Sequence, residues 1–343
     1  MMSDVKDNPH QAMCRAGTMD LWALGDLFTP WCIHVVATLR IAEHIAAGSA
    51  DIDKLGAACG ADPDSLSRVL RHLVSKGIFE EPVPGRFALN EAAQALLDGP
   101  VHLGLDLDGL GGRMAHAWGT LLSAVRTGKP AYHEAFGRGF WEDLDAHPDI
   151  AADFDALMGP AGHGVPDFQV LLDPADWSSV RTVVDVGGGT GALLAEVLRA
   201  RPTIRGILDL PRTVARSSEV FQAAGVADRA TTVGQSFFDP LPGGGDLYML
   251  KNVLADWPDG EAKSLLRRCA EAARPAGTVV ILGGVNPEET PAPELLMLVL
   301  VGGRSRTLNE FRALACEAGL EVRATGRQPS GRFMVECRPA VPH

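Results

Sequence analysis

Residues Val183–Gly191 read VVDVGGGTG, and the residues that follow, 192–198, read ALLAEVL. A short β-branched run that ends in an acid is thus followed by a glycine cluster and then by apolar residues at helical spacing. This order predicts a strand, a tight loop and a helix. Glycines let the backbone turn sharply and let a ligand approach the main chain, and the free N–H groups at the start of the helix face that ligand. We therefore expect a ligand-binding loop in an α/β sheet.

Two classes of ligand fit this loop. Its glycines satisfy the G-x-G-x-x-A pattern of dinucleotide-binding loops. Asp185 favours S-adenosylmethionine instead, because a carboxylate directly before the glycines can face an ammonium group but would repel a pyrophosphate. The next predicted strand ends in Asp209, 20 residues after Gly189, where a carboxylate can accept hydrogen bonds from both ribose hydroxyls. We expect S-adenosylmethionine, with a dinucleotide or a glycine turn without ligand as the alternatives.

The composition of the chain excludes several classes of protein. It has 343 residues, of which 46% are hydrophobic, and a net charge of −12, which argues against binding to nucleic acid. The longest aliphatic run, Leu295–Val301, is too short to cross a bilayer, and the first residues lack the apolar segment of a signal peptide. The six cysteines are scattered without a C-x-x-C pair. This predicts reduced thiols in a cytoplasmic protein, with neither a disulfide framework nor a metal site.

The N-terminal third has the pattern of a winged helix. Residues 21–47 predict apolar helices interrupted at Pro30, Asp62 is a good N-cap for a third helix, and the runs 78–81 and 86–89 predict a small hairpin. Helices that are apolar all round usually need a partner to cover them. We expect a second subunit to supply that cover, with a core inside one chain as the alternative.

A winged helix also raises a second class of function, a DNA-binding regulator. The helix that would read DNA offers the basic residues Arg68, Arg71, His72 and Lys76. Because the chain is acidic and winged helices also serve as dimerisation modules, we predict dimerisation and no nucleic acid partner.

Strand and helix patterns alternate from Trp177 onward. The predicted strands are 182–186, 205–209, 230–233, 246–251, 278–283, 320–324 and 332–337, and the predicted helices are 190–200, 212–224, 259–273 and 307–318. This alternation predicts a mainly parallel, doubly wound α/β sheet of Rossmann-like type, with an antiparallel edge formed by the last two strands. Its ligand would bind at the carboxyl ends of the strands, beside the first of them.

The chain is therefore expected to consist of three segments. Residues 1–100 would form the winged-helix-like dimerisation domain, residues 101–172 a helical linker that contributes to the substrate pocket, and residues 173–343 the cofactor-binding domain.

Five motifs resemble those of the S-adenosylmethionine-dependent small-molecule O-methyltransferases, a family that includes plant caffeic-acid-type enzymes and bacterial antibiotic-tailoring enzymes. They are DVGGGTG at 185–191, LDLP at 208–211, SFFDPLP at 236–242, KNVLADWPD at 251–259 and GGRSRT at 302–307. The resemblance implies a class I methyltransferase domain, a homodimer, S-adenosylhomocysteine as product, and a small aromatic or polyketide-type acceptor in antibiotic biosynthesis. It leaves open whether that acceptor is free or bound to a carrier protein.

The resemblance also implies roles for individual positions. The glycines would line the methionine end of the cofactor, Asp209 would bind the ribose, and Phe237 would pack on the adenine ring. The cofactor-binding residues predicted in this way are Asp185, Gly187, Gly189, Gly191, Asp209, Leu210, Ser236, Phe237, Lys251 and Asn252. The predicted substrate pocket consists of His116, Phe154, Met158, Trp257, Met297 and Leu300.

The chain departs from the family at the general base. The family's histidine before the Asp-Trp pair is Ala255 here, and the two glutamates that hold it in the plant type are Gly283 and Ser305. Three explanations stay open. Alignment of the reactants alone can supply much of the rate of methyl transfer. A different histidine, His163 or otherwise His116, can take the proton, and His163 is the candidate catalytic residue. Lastly, the fold can serve a non-methylating reaction with the cofactor bound, such as hydroxylation, decarboxylation or a pericyclic step.

Overall fold

The structure is a computed structural model that describes residues 20–159, 165–209, 214–288 and 293–340. It divides into two compact units between Gly111 and Gly112. The division into three segments that the sequence suggests stays a prediction. Among the described residues, no helix combines the length and the apolar character that a membrane crossing requires.

The first unit is built from short helices and one hairpin. Its elements are α1 (Leu21–Leu24), α2 (Phe28–Thr38), α3 (Ile41–Ala46), α4 (Ile52–Cys59), α5 (Pro63–Ser75), β1 (Glu80–Val83), β2 (Arg86–Ala88), α6 (Glu91–Gln94) and α7 (Gly99–Leu105). Asp62 caps α5, because its carboxylate accepts a 2.9 Å hydrogen bond from the backbone N–H of Ser65. The predicted break at Pro30 was wrong. Pro30 is the third residue of α2, a position where the missing N–H has no carbonyl to bind.

A large apolar surface of this unit is exposed. Leu21, Trp22, Leu24, Leu27 and Phe28, in and between α1 and α2, are each 68–76% exposed. The core of the unit lies elsewhere, around buried residues of α2 to α5 and the hairpin. A contiguous apolar surface of this kind is typical of an interaction site.

The second unit begins with helices that precede the sheet. They are α8 (Leu110–Ala117), which spans the boundary between the units, α9 (Leu121–Thr127), α10 (Tyr132–Phe136), α11 (Phe140–Ala146) and α12 (Pro148–Met158). α11 and α12 pack against each other, and α10 packs against α11.

A seven-stranded sheet organises the rest of this unit. Its strands are β3 (Thr182–Val186), β4 (Arg205–Asp209), β5 (Ala230–Val233), β6 (Leu247–Lys251), β7 (Thr278–Leu282), β10 (Leu320–Arg327) and β11 (Phe333–Pro339), in the order β10-β11-β7-β6-β3-β4-β5. β3 to β7 are parallel, and β10 and β11 form the antiparallel edge that the sequence predicts. The helices between strands are α13 (Ala192–Ala200), α14 (Val214–Ala223), α15 (Asp259–Ala272), α16 (Leu295–Leu300) and α17 (Leu308–Glu317). A small parallel pair, β8 (Val285–Asn286) and β9 (Arg306–Thr307), stands apart from the sheet.

The central strands are buried on both faces. Val183 of β3 belongs to one hydrophobic cluster and Val184 to another on the opposite face, because successive side chains of a strand point to opposite sides. The strand order reverses between β3 and β6, so a crevice opens beyond the carboxyl ends of these two strands. The fold is the class I methyltransferase fold that the sequence predicts, and its crevice receives the glycine loop.

Candidate active site

The glycine loop joins the end of β3 to the start of α13. Gly187, Gly189 and Gly191 have φ angles of 68°, 60° and 80°, a region that favours glycine. The N–H of Gly187 donates a 2.8 Å hydrogen bond to the carbonyl of Asp209, so the loop is tied to the end of β4. A Cβ at Gly189 would meet no atom within 4 Å, whereas one at Gly191 would lie 2.7 Å from the ring of Phe221. Gly189 therefore leaves space beside its Cα for a ligand to approach, and Gly191 packs onto the core.

Asp185 lies against this loop, at the end of β3. It is fully buried, a Cβ at Gly188 would collide with its carboxylate, and neither of its oxygens accepts a hydrogen bond of ordinary geometry from the described residues. Burial raises the pKa of Asp185 to about 7, although the Lys251 ammonium and the backbone of Leu194 act in the opposite direction. Burial also lowers the pKa of Lys251, which ends the neighbouring strand β6. Burial thus disfavours the charged form of both groups, whereas the attraction between Asp185 and Lys251 favours it.

Asp209 ends β4 and is also fully buried. Neither carboxylate oxygen has a hydrogen-bond partner within the described ranges. Burial, and then the negative charge of Asp239, raise the pKa of Asp209 to about 7. Because native proteins rarely leave a buried polar group unpaired, this carboxylate fits a ligand with hydroxyl donors, such as the ribose of S-adenosylmethionine. Leu210, predicted beside it, lies outside the described residues.

Three further predicted cofactor residues, Ser236, Phe237 and Asn252, contact other residues of the chain. The hydroxyl of Ser236 accepts a 3.3 Å hydrogen bond from the backbone N–H of Phe238, which closes a turn. The ring of Phe237 lies 3.6 Å from the position that a Cβ at Gly187 would occupy, so it borders the glycine loop. Asn252 has a φ of 59°, and its side-chain oxygen accepts a 2.6 Å hydrogen bond from Arg332.

An aromatic cluster lies beside the glycine loop. The ring of Trp257 is 5.8 Å from that of Phe237 and 4.8 Å from that of Phe238, measured between centroids. It also stacks on Trp141 at 6.2 Å, and Trp141 meets Phe154 edge to face at 5.7 Å. The indole N–H of Trp257 is buried and has no acceptor in the part of the chain that the structure describes. Three residues of the cluster, Phe237, Trp257 and Phe154, are predicted site residues. The other two, Trp141 and Phe238, are not among the predicted site residues.

The other predicted pocket residues are more dispersed. His116 is exposed on α8, and Met158, the last residue of α12, is 41% exposed. Met297 is half-buried and Leu300 buried in α16, which packs against α9. His163 lies outside the described residues, so the structure does not place the candidate base.

The three segments that would carry the family's histidine and glutamates meet in the structure. A Cβ at Gly284 would lie 3.0 Å from Cβ of Ala255, and a Cβ at Gly303 would collide with the carbonyl of Ala255. The segments that hold Gly283 and Ser305 are therefore in contact with the turn that holds Ala255. The structure retains the place of the family's general base and its supports, without their side chains.

Two carboxylates that the sequence did not mark as reactive lie near this place. Glu294 accepts hydrogen bonds of 2.6 Å from both the backbone N–H and the hydroxyl of Ser305. Asp256 is half-buried, and burial together with the charge of Glu294 raises its pKa to about 7. Glu294 could not be recognised from the sequence, because its partner is 11 residues away in an irregular segment. No group of His, Cys, Asp and Glu in the described ranges could hold a metal ion.

Two family models match this chain. The model of the O-methyltransferase domain matches residues 118–321, and the model of the O-methyltransferase dimerisation domain matches residues 23–99. The chain belongs to the O-methyltransferase family. It is an S-adenosylmethionine-dependent enzyme of that family, as the sequence predicts, and its glycine loop and unpaired carboxylates fit the cofactor.

Several known proteins are similar over nearly the whole chain. The 2,7-dihydroxy-5-methyl-1-naphthoate 7-O-methyltransferase of Streptomyces carzinostaticus is 42% identical over 90% of this chain and 95% of its own. The aclacinomycin 10-hydroxylase of Streptomyces purpurascens is 38% identical over 87% of this chain and 83% of its own. An O-methyltransferase from neocarzinostatin biosynthesis has been crystallised in complex with S-adenosylmethionine and 2-hydroxy-5-methyl naphthoic acid. Its sequence is 40% identical to this chain, and the two structures superpose with a TM-score of 0.86 over 94% of this chain and all of that one. The naphthoate O-methyltransferase and the crystallised O-methyltransferase confirm the predicted class of enzyme, which acts on aromatic or polyketide acceptors in antibiotic biosynthesis.

Proposed function

We propose that this O-methyltransferase methylates a hydroxyl group of a free bicyclic aromatic acid of the hydroxynaphthoate class. The aromatic cluster around Trp257 carries this proposal, because it offers flat apolar surface and one unpaired indole N–H beside the glycine loop. The similarity to an enzyme named for a dihydroxynaphthoate supports the same class of acceptor. That name refers to a naphthoate without a carrier, and for this reason we propose a free acid.

The residues of the chain would bind and orient the two reactants. When bound, S-adenosylmethionine supplies a methyl group on a sulphonium centre, which an oxygen nucleophile can attack. Asp209 would bind this cofactor, which would approach the loop in the space beside Gly189, while Trp257 and Phe237 would orient the acceptor ring and exclude water. Alignment of this kind can supply much of the rate, and a general base typically adds about 10²- to 10⁴-fold.

The acceptor's proton has two candidate routes. Since positions 255, 283 and 305 hold no ionisable side chain, we propose that the phenol is ionised before it reacts. His163 is the predicted alternative acceptor of the proton. If His163 acts as the base, His163→Ala should lower turnover by about 10²-fold or more; a smaller change than about threefold would exclude it.

The proposal is tested by incubating the protein with S-adenosylmethionine and a panel of hydroxynaphthoic and phenolic acids, followed by mass spectrometry. A product heavier by one methylene unit, together with S-adenosylhomocysteine, supports it. A product heavier by one oxygen atom, or one that has lost carbon dioxide, supports a redirected fold instead. This second candidate, a non-methylating reaction, is favoured by the missing base and by the 38% identical hydroxylase.

We also propose that the enzyme is a cytoplasmic homodimer. The exposed apolar surface formed by residues 21–28 overlaps the start of the segment that matches the dimerisation domain, residues 23–99, and a second copy would cover it. Sedimentation analysis should show a dimer, and Trp22→Glu with Phe28→Glu should shift it toward monomer.

DNA is not the proposed partner of the first unit. Arg71 donates two hydrogen bonds from Nε and one from Nη2 to Glu81, Arg68 pairs with Asp64, and Lys76 lies 3.5 Å from Asp26. Arg68 and Arg71 of α5, and Lys76 directly after it, thus face acidic partners within the chain. A gel-shift assay with random duplex at low salt should detect no salt-sensitive binding.

A further inference from the structure

The side chain of Arg306 is fully buried, and its guanidinium group makes four hydrogen bonds and one further close contact with a carboxylate. Nε donates to Oδ1 of Asp259 at 2.9 Å, and Nη2 lies 2.8 Å from the same oxygen. Nη1 donates to the carbonyls of Leu254 at 3.1 Å and Arg304 at 3.2 Å, and Nη2 donates to the carbonyl of Trp257 at 2.8 Å. One side chain therefore binds both ends of the turn from Leu254 to Trp257, which we call the 254–257 turn.

This turn carries the acceptor side of the site. It follows β6 directly and contains Ala255, at the place of the family's general base, and Trp257, the centre of the aromatic cluster. The carbonyls at its two ends have no partner in regular secondary structure, and burial without a donor would be unfavourable for them. Arg306 supplies those donors.

Arg306 is itself held in a fixed position. Its backbone N–H donates a 3.0 Å hydrogen bond to the carbonyl of Gly284, and it pairs with Val285 in the small β8–β9 ladder. Three residues before it, Gly303 approaches the 254–257 turn so closely that a Cβ would collide with Ala255. The turn is thus bound to the segment that follows β7 and cannot shift independently.

Packing alone does not explain an arginine here. Burying a charge is costly, and a well-packed apolar residue is often at least as stabilising as a buried ion pair. The counter-ion Asp259 is 54% exposed, which weakens its compensation. A lysine could not replace this arginine, because three donors on a single nitrogen cannot reach two carbonyls and a carboxylate in one plane.

We propose that Arg306 is a positioning residue for methyl transfer, which fixes the 254–257 turn so that Trp257 seats the acceptor in line with the methyl donor. This inference rests on the proposed function of the aromatic cluster. The positioning by Arg306 matters more in this chain than in relatives with a histidine at position 255. Here the alignment of acceptor and methyl donor has to supply the rate that a general base would add. A misplacement of about 1 Å can lower a rate by about 10²-fold.

The test compares Arg306→Lys with Arg304→Met. The Arg304 side chain binds the same Asp259 at 3.1 Å, and also Glu310 at 2.8 Å, but it is exposed and donates no bond to the turn. We expect Arg306→Lys to lower kcat/KM for the acceptor by about tenfold or more, while the Kd of S-adenosylmethionine, measured by calorimetry, changes by less than about threefold. Arg304→Met should change neither quantity.

A spectroscopic measurement on the same variants reports the conformation of the 254–257 turn directly. With 5-fluorotryptophan incorporated, and the signal of Trp257 assigned by Trp257→Phe, the wild-type protein should give one narrow fluorine resonance for this residue. Arg306→Lys should broaden or split it, and Arg304→Met should not. An unchanged resonance in Arg306→Lys would overturn the positioning role.

The outcomes separate this inference from the proposed function. If the wild-type protein methylates no acceptor of the panel, the proposed function fails, and the fluorine resonance still decides the role of Arg306. If the wild-type protein is active and Arg306→Lys is equally active, the inference fails alone. Should Arg306→Lys not fold, Asp259→Ala removes both contacts with Oδ1 at an exposed residue, and unchanged acceptor kinetics together with an unchanged resonance would count against the proposal.

Discussion

The hydroxyl of Tyr132 donates a 2.7 Å hydrogen bond to Oδ2 of Asp143, and both residues are buried. The same oxygen lies 3.0 Å from Nε of Arg113, and the other carboxylate oxygen lies 3.1 Å from Nδ1 of His147. The Arg113 guanidinium also stacks over Phe136, 4.7 Å from its centroid. A single carboxylate therefore joins α8, α10 and α11, and α11 supplies the aromatic cluster with Trp141.

Asp143→Ala is expected to destabilise the enzyme by about 3 kcal/mol, because it leaves the partly buried guanidinium of Arg113 and the Tyr132 hydroxyl without a partner. Urea unfolding at neutral pH measures this change in the free energy of unfolding. The matched control is Glu196→Ala, which breaks an exposed pair with Arg199 and should change stability by less than about 1 kcal/mol. Equal losses in the two variants would show that the buried carboxylate has no special role.

Asp209→Asn is expected to weaken S-adenosylmethionine binding by about 10- to 100-fold, because the charged acceptor for the ribose hydroxyls is lost. Titration calorimetry measures the Kd. Asp228→Asn, at an exposed carboxylate 4.0 Å from Arg229, serves as the control and should leave the Kd unchanged. An unaltered affinity in Asp209→Asn would remove this residue from the cofactor site.

The same binding should also depend on pH. The pKa of Asp209 in the free protein is raised to about 7, and hydroxyl donors of a ligand favour the ionised form, so binding should release protons below that pH. The affinity of the wild-type protein should therefore rise as the pH increases through about 7. The increase should be smaller in Asp209→Asn, where Asp185, with a similarly raised pKa, is the remaining titrating carboxylate.

Gly189→Ala and Gly244→Ala should differ in ligand binding but not in stability. Both glycines have a positive φ, 60° and 81°, and a Cβ at either would meet no atom within 4 Å. Each substitution should therefore cost about 1 kcal/mol of backbone strain. Only Gly189 lies in the cofactor loop, so only Gly189→Ala should weaken S-adenosylmethionine binding, by about tenfold or more. Equal affinities in the two variants would contradict the assignment of Gly189 to the cofactor site.

The sheet could be predicted from the sequence because its strands are short, apolar and separated by helices with one apolar face. Each predicted strand from 182 onward is present, with differences only at the ends. The antiparallel edge followed from two strands without an intervening helix. The error at Pro30 has a simple cause, since proline in the first turn of a helix and proline between two helices give the same local pattern.

The candidate site was only partly predictable. The glycine loop and the two acids at strand ends are local patterns, and the fold places them at one crevice. Arg306 was missed as a single residue because an arginine is usually exposed, and its partners are 47 to 52 residues away in sequence. The bonds between Glu294 and Ser305 likewise depend on how irregular segments fold, which periodicity does not reveal.

Asp256→Asn is expected to stabilise the enzyme at alkaline pH. Burial and the neighbouring charge of Glu294 raise the pKa of Asp256 to about 7 in the folded protein, from 3.8 as its ordinary value. The folded state therefore binds this proton more tightly than the unfolded state, and its stability falls as the pH rises between about 4 and 7. Asparagine carries no charge, so the variant should gain stability over the wild type through that range, on the order of 1 kcal/mol per pKa unit, and keep the gain above it.

Urea unfolding at several pH values from about 4 to about 8 measures this gain. The exposed Asp228, replaced in the same way, is the control and should give a difference that does not change with pH. A difference between Asp256→Asn and the wild type that is constant across the range would show that the carboxylate of Asp256 titrates normally. It would then also be ionised at neutral pH in the folded enzyme.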